Sequence, residues 1–371
     1  MKVLLGGGAK ERMKKTRPSS LLDVAEVAGV SIQTVSNVLN FPEKVRPKTR
    51  DEVLKAVKKL DYTPNLSARR LRSRKASTIA VRVDTNSAPG LFRGFIQDDF
   101  VYELIEAAEK RQIKVIAYTA KSEDLEIDKL RKFMSSRDAD GIILTSTRAQ
   151  DPRISYLEKN NVPFLSFGQP WGHEDLYSTS HPWVDIDGGF GISEATTMLW
   201  NKGHRNIGFA GWESENSSSE IPKSVGEDRY LGWKKAFSKL AGKSGRAADV
   251  ELSALAAFGV QSIESGRQSA RRLLDAIPDL DAVVCVSDTV ALGCLLEFQR
   301  ISKRNISVTG FDNSPISREF GFTSLDQTLP EVASSAIAIL MGEGGNQIRK
   351  VDFATEEMSA HVLLNPKLVI R

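Results

Sequence analysis

Four side chains near the amino end of this 371-residue chain recur at helical spacing: Gln33, Ser36, Asn37 and Asn40, at i, i+3, i+4 and i+7. None is charged. Amides and a hydroxyl along one helix face offer paired donors and acceptors that match base edges in a major groove. The other reading is a helical hairpin that simply keeps a polar outer side. Lys44, Lys48 and Thr49, a little further on, are candidates for contacts to phosphate oxygens, or else solvated surface.

Presenting such a face takes a second helix behind it. Leu21, Val24, Ala25 and Ala28 form one apolar stripe, with Ser20 at the N-cap position and Asp23 placed to reach back as a capping box. Gly29 suits a turn that needs a positive φ. Ser31 can cap the following helix, on which Val35, Val38 and Leu39 point back at the first. Two helices, a glycine turn and an amide-lined outer face make a helix-turn-helix. A third helix is expected from Pro47, with Val53, Ala56, Val57 and Leu60 as its buried stripe.

The formal net charge of +4 hides an asymmetry. Residues 1–75 hold 18 Lys and Arg against 7 Asp and Glu, a balance of +11, and the remainder holds 33 against 40, a balance of −7. A basic head on an acidic body marks where a polyanion sits. Cys285 and Cys294 lie in apolar surroundings and read as free thiols of a reducing compartment, the cytoplasm. No run approaches the roughly 18 apolar residues of a membrane span. Val3, Leu4 and Leu5 are too few for a signal-peptide core, and residues 6–10 lack the spacing of a phosphate loop, so residues 1–17 read as a disordered basic arm. Neither G-x-S-x-G nor H-E-x-x-H occurs, and the four histidines show no metal spacing, so no catalysis, metal or cofactor is expected.

From Thr78 onward short apolar runs alternate with helical stretches. Runs at 79–83, 113–118, 141–145, 162–167, 183–186, 207–211, 282–286 and 306–311 read as buried parallel strands. Stretches at 101–111, 125–134, 188–201, 230–240, 268–277 and 289–300 fit the helices between them. This is a doubly wound α/β pattern, and eight strands over roughly 290 residues sit better in two sheets than one. A ligand then belongs between the sheets, at the carboxyl ends of the strands. Sugar sites pair an aromatic plate with charged hydrogen-bonding groups. Trp171, Trp183 and Trp212 all fall at strand ends or loops, with core packing as the alternative for each. Ser287, Thr145, Phe167 and Gln327 are second-rank choices by position, and Asp187 and Asp288 read as helix caps.

The opening closely resembles the LacI/GalR family of bacterial transcription regulators, whose pattern is D-V-A-x-x-A-G-V-S-x-x-T-V-S-x-V-L-N. Asp23, Val24, Ala25, Ala28, Gly29, Val30, Ser31, Thr34, Val35, Ser36, Val38, Leu39 and Asn40 reproduce it. The resemblance runs from Ser20 to Arg371. It implies an N-terminal all-α helix-turn-helix DNA-binding domain plus an α/β two-lobed periplasmic-binding-protein-like effector domain. The boundaries it implies are 18–63 for the head, 64–75 for a hinge helix or linker, and 76–371 for effector binding and dimerisation. The first lobe is expected to cover 76–182 plus 327–340, and the second 183–326 plus the C-terminal residues. Met13 is a candidate start, because the family usually begins just ahead of the first helix.

By the same resemblance Ser20, Ser31, Ile32, Gln33, Ser36, Asn37, Asn40, Lys44, Thr49 and Asn65 contact DNA. Leu71 is the leucine that a hinge helix, lined also by Ala68, pushes into the minor groove. Where the family often has serine, Arg46 weakens a cap and becomes a phosphate contact. Where it commonly has arginine, Asn37 changes the preferred base from guanine to adenine. In the body Arg229 and Asp312 match effector-gripping residues, and pocket side chains fall at or near Trp183 and Trp212. The function implied is a repressor of carbohydrate-utilisation genes, bound to a near-palindromic double-stranded operator as a homodimer and released by a small sugar, a disaccharide among the candidates. A purine- or nucleoside-responsive regulator is the alternative, and a sugar-binding protein with no DNA role a remoter one. No leucine-rich tail of the sort that builds tetramers follows the last strand, so a dimer is expected.

Overall fold

A computed structural model describes residues 19–62, 77–83, 95–213, 221–243, 252–301, 305–342 and 360–371. The chain divides into two compact units, Met1–Lys75 and Ala76–Arg371, here called head and body. The expected basic arm and the hinge residues Asn65, Ala68 and Leu71 lie outside the described residues.

Three helices build the head: α1 (Leu21–Ala28), α2 (Ile32–Asn40) and α3 (Pro47–Lys59). Local chemistry sets their ends. Ser20 Oγ accepts from Asp23 N at 3.3 Å while Asp23 Oδ2 accepts from Ser20 N at 2.7 Å, so the capping box satisfies two otherwise free donors. Gly29 ends α1 at φ 65°, the left-handed conformation that a side chain disfavours. Ser31 Oγ caps α2 by accepting from Thr34 N at 3.1 Å. Proline opens α3, and Arg46 makes no side-chain cap. Val24, Val35 and Val53 are fully buried where the three helices meet, with Ala25, Val38, Ala56 and Tyr62 around them.

The body carries two parallel sheets. In the first, β1 (Thr78–Arg82), β2 (Lys114–Tyr118), β3 (Gly141–Leu144), β4 (Phe164–Phe167), β5 (Trp183–Ile186) and β11 (His361–Leu364) run in the order β11-β5-β4-β3-β1-β2. The second has β6 (Ile207–Trp212), β7 (Ala256–Gly259), β8 (Ala282–Cys285) and β9 (Ser307–Thr309) in the order β7-β6-β8-β9. An antiparallel pair, β10 (Ser324–Asp326) with β12 (Lys367–Val369), is tied to β9 by a bridge between Thr309 and Thr323. Strand order reverses at β1 in the first sheet and at β6 in the second, which leaves a crevice at the carboxyl ends there.

Two segments differ from expectation. Trp183–Ile186, expected to open the second lobe, is a strand of the first sheet, paired with β4 through Ser166 and Trp183. Of the C-terminal residues, His361–Leu364 also joins the first sheet, beside β5. The chain therefore leaves the first sheet after Ile186, returns through α12 (Leu329–Met341), which packs on β4 and β5, and leaves again between β11 and β12. An apolar four-residue run says that a strand is buried, not which sheet buries it.

Helices α5 (Glu123–Ser136) and α6 (Pro152–Lys159) cover the far side of the first sheet, and a buried charge network ties them to its strand ends. Glu126, fully buried, accepts from Arg82 Nη1 at 2.8 Å, Arg153 Nη1 at 2.9 Å and Tyr118 OH at 2.9 Å. Arg153 also holds Asp151 in a two-point grip, at 2.6 and 2.9 Å, and donates to Ser146 O at 3.0 Å. The loop after β3 is thereby pinned. Glu126→Gln removes the buried carboxylate that Arg82 and Arg153 share, leaving Arg153 its pair with Asp151, and is expected to cost the body about 3 kcal/mol in denaturant unfolding.

Candidate functional site

The outer face of α2 differs in detail from its expected form. Gln33 is exposed, and its Nε2 donates to Asn37 Oδ1 at 3.0 Å. The two amides, one helical turn apart, thus act as a pair, with Gln33 Oε1 as a further acceptor and Asn37 Nδ2 as a donor. Ser36, expected on the same face, is 9% exposed and belongs to the inner side of the helix. Nine residues do not complete whole turns, so a position beside the stripe boundary falls on either side. Ile32 stands exposed next to Gln33 and offers an apolar contact of the kind that suits a thymine methyl. Lys44 is exposed with its ammonium 5.0 Å above the Phe41 ring, and Thr49 is half-buried at the start of α3. Ser20 and Ser31 are the caps of their helices. The side chain of Asn40 lies outside the described residues.

In the body one arginine organises the crevice. Arg229 lies in α8 (Val225–Lys243), which can approach α7 (Gly188–Asn201) only because Gly232 is a glycine: a Cβ there would stand 2.2 Å from Gly189 O. Arg229 is 5% exposed. Its Nη1 donates to Val286 O at 2.7 Å, its guanidinium lies 3.6 Å from the Phe311 ring centre and 5.6 Å from that of Trp212, and its Nε finds no partner among the described residues. Burial pulls its pKa down, against the attraction of Asp312, Asp228 and Asp185. An arginine nonetheless stays charged.

The carboxylates answer to the same burial. Asp312 is pushed up to about 7 by burial, with Arg229 pulling the other way, and its Oδ1 accepts from Gln327 Nε2 at 2.7 Å. Its backbone sits at φ 121°, a strained value for an aspartate and typical of a functional position. Burial likewise raises Asp185, at the end of β5, to about 6, and Asp228 to about 7. Asp312 and Arg229 face each other with no ion pair within 4.0 Å, which leaves both side chains groups to offer a hydroxyl-bearing ligand.

Of the expected effector residues, the crevice brings together Arg229, Asp312, Gln327 and Trp212. Ser287, fully buried beside Val286, caps α10 (Asp288–Ile301), its Oγ accepting from Val290 N at 3.4 Å. Thr145 donates to Arg82 O at 3.2 Å and braces two strand ends, and Phe167 packs 4.3 Å from Phe100. Trp183 is a correction. It is fully buried at the amino end of β5, away from the carboxyl-end crevice. Its Nε1 donates to Leu176 O at 3.2 Å, and its ring stacks on His361 at 5.3 Å. Asp187 caps α7 through Phe190 N at 2.7 Å, but Asp288 instead clamps Ser314 and Ser324. Missed from sequence were Asp185, hidden inside a strand pattern, and Asp228, which precedes the expected helix at 230–240 but lies within the observed one.

A raised carboxylate pKa has a definite sign. The unfolded chain ionises Asp228 near pH 4 while the folded body keeps it protonated to about 7, so this residue's contribution to stability falls as pH rises across that window. Asp228→Asn, which keeps an acceptor for Gly189 N, removes the fall. Its stability relative to the parent is expected to rise between pH 5 and 7 and level off above. The slope is at most about 1.4 kcal/mol per unit, reduced by solvent at a half-buried group, and urea unfolding at several pH values reads it.

The comparisons with known proteins agree with this layout. Residues 20–65 match the family described as Bacterial regulatory proteins, lacI family, and residues 196–371 match a Periplasmic binding protein-like domain. The chain is 30% identical over 349 residues to the HTH-type transcriptional regulator CelR of Thermobifida fusca, covering 91% of this chain and 97% of that one. It is 27% identical over 367 residues to the HTH-type transcriptional repressor PurR of Mannheimia succiniciproducens, covering 95% and 98%. Among solved structures, a transcriptional regulator CelR–cellobiose complex matches with a TM-score of 0.63 at 27% identity, covering 96% of this chain and 99% of that one. The chain belongs to the LacI family and is a DNA-binding transcriptional regulator rather than an enzyme.

Proposed function

We propose that this regulator represses carbohydrate-utilisation genes and leaves its operator when a small sugar, cellobiose or a close relative, enters the crevice of the body. The observation that carries the sugar reading is Arg229, buried against Trp212 and Phe311 with its Nε unpartnered and Asp312 opposite. An aromatic plate beside charged hydrogen-bonding groups suits the apolar face and hydroxyl rim of a sugar ring. The likeness to CelR, and to a CelR structure described as a cellobiose complex, supports that choice. A purine or nucleoside effector is the second reading, favoured by the likeness to PurR.

A homodimer sets two heads on a near-palindromic operator, half-sites about one helical turn apart. The paired amides of Gln33 and Asn37 read bases, Lys44, Arg46, Lys48 and Thr49 hold phosphates, and Leu71 wedges the minor groove from the hinge at 64–75. The sugar shifts the body between two arrangements and can do so only by binding one of them more tightly. Free, buried Cys285 and Cys294 suit work in the cytoplasm, and no described helix is long and apolar enough to cross a membrane.

Two substitutions separate the two ends of this mechanism. Arg229→Ala is expected to leave operator affinity within about twofold while abolishing release by cellobiose, because it removes effector contacts worth several tenfold steps in affinity. Release that persists in this variant, or a thermal-shift screen in which purines bind and sugars do not, refutes the sugar reading. Asn37→Arg is expected to switch the preferred base at one half-site position from adenine to guanine, by about 1–3 kcal/mol. Selection of sites from random duplexes with both proteins reads the switch, and an unchanged preference overturns the assignment.

A further inference from the structure

On the first sheet's side of the crevice two buried polar atoms are left without a purpose. Trp171 is 4% exposed and its Nε1–H has no acceptor among the described residues; Thr147 is 7% exposed and its Oγ1 has no partner among them either. Both lie beside Gly168, which follows β4 directly at φ 139°. A Cβ at Gly168 would stand 2.1 Å from Thr147 Oγ1 and 3.6 Å from Trp171 Nε1, so the glycine is what lets hydroxyl and indole meet at this strand end.

The same loops are laced to the second sheet's side. Gly172 N donates to Pro222 O at 2.9 Å, and Ala149 N to Lys223 O at 3.3 Å. Three residues beyond Lys223, a Cβ at Gly226 would stand 3.5 Å from the Trp212 ring, so the turn runs beside that side chain. Trp212 Nε1 and Arg229 Nε are likewise buried without partners among the described residues. Four unpartnered polar atoms therefore cluster about the turn at 222–226 and the start of α8, and three of them, two indole N–H groups and one guanidinium N–H, can only donate. Asp185, the carboxylate beside this loop, is already engaged, taking Gln169 N and Ile186 N, each at 2.8 Å. Buried donors without acceptors are costly, and three of the four atoms lack an acceptor while the fourth, a hydroxyl, takes either role.

We infer that Trp171 and Thr147 form the first-sheet wall of the effector site, and that its ligand is an uncharged polyhydroxyl molecule spanning the crevice. Oxygens of the ligand accept from Trp171 Nε1 and Thr147 Oγ1 on one side and from Arg229 Nε and Trp212 Nε1 on the other. An anionic ligand is disfavoured, since Asp312, Asp228 and Asp185 already surround the one arginine. This assignment rests on the sugar reading above and adds to it Trp171, a contact that Trp183 was expected to make. It also gives ligand binding a mechanical consequence: the donors on the two sides are satisfied together only while Gly172 and Ala149 stay bonded to the turn, so the ligand favours the laced form.

The test uses the full chain and cellobiose. Trp171→Phe keeps an aromatic ring and deletes the N–H, and Thr147→Val deletes the hydroxyl. Each is expected to weaken cellobiose binding about tenfold by calorimetry, with operator affinity in the absence of sugar unchanged. On the parent protein, whose five tryptophans give five indole N–H signals, the Trp171 signal is expected to move downfield with cellobiose. That readout does not depend on how well either variant folds. Affinity within twofold of the parent together with an unmoved Trp171 signal, while Arg229→Ala still loses the response, overturns this inference and leaves the sugar reading standing. A parent protein that binds no cellobiose overturns both.

Discussion

A permanent positive charge with little access to water sets the terms for the body's crevice. Arg229 cannot shed its proton, so every neighbour is arranged to make its charge tolerable: a carbonyl on Nη1, an aromatic face 3.6 Å away, and carboxylates on several sides. Those carboxylates face a constraint of their own. More of them surround the arginine than one charge can balance, and burial holds Asp312 and Asp228 to about 7 and Asp185 to about 6. Protonation of the surplus carboxylates thus offsets the charge that the single arginine cannot balance.

A second buried network in the same domain shows what the crevice would look like if its role were only structural. Around Glu126 both carboxylate oxygens are engaged, Arg153 makes bonds in four directions, and the result is a pinned loop. Around Arg229 its own Nε and the Trp212 indole have no partner among the described residues, and Asp312 holds a strained backbone angle. A network with most of its bonds closed rigidifies, and one with several groups left open has bonds to offer a ligand. The residue types are similar in the two places. The difference lies in how many of their hydrogen bonds are closed.

The head was almost wholly legible from sequence because its signals are local. Ser20 with Asp23, Gly29, Ser31 and Pro47 each decide a helix end within three residues, and the apolar stripes fix which faces meet. Ser36 misled only because a short helix gives its boundary positions little phase to work with. The strands of the body were legible as apolar runs, whereas their partners were not. Nothing within four residues of Trp183 says that it pairs with Ser166, or that a strand from residue 361 closes over it. That single long-range fact moved a tryptophan from the crevice to the core. Trp171, a candidate only by its place in a loop, is buried beside Gly168 with its Nε1–H unpartnered among the described residues.

Specificity and affinity are divided along the chain by the same economy of charge. The basic residues that attract a phosphate backbone crowd the first 75 positions, while the helix face meant for bases carries none of them. An arginine among the reading residues would add attraction to any duplex. A neutral amide pair such as Gln33 and Asn37 adds almost none, so what it gains at the right base pair it does not also gain elsewhere. The acidic remainder, with its balance of −7, repels the same polyanion that the head attracts. Charge thus directs nucleic acid to the head and away from the body, and on the proposed function the two binding events would be linked through the free energy that separates the forms of the body.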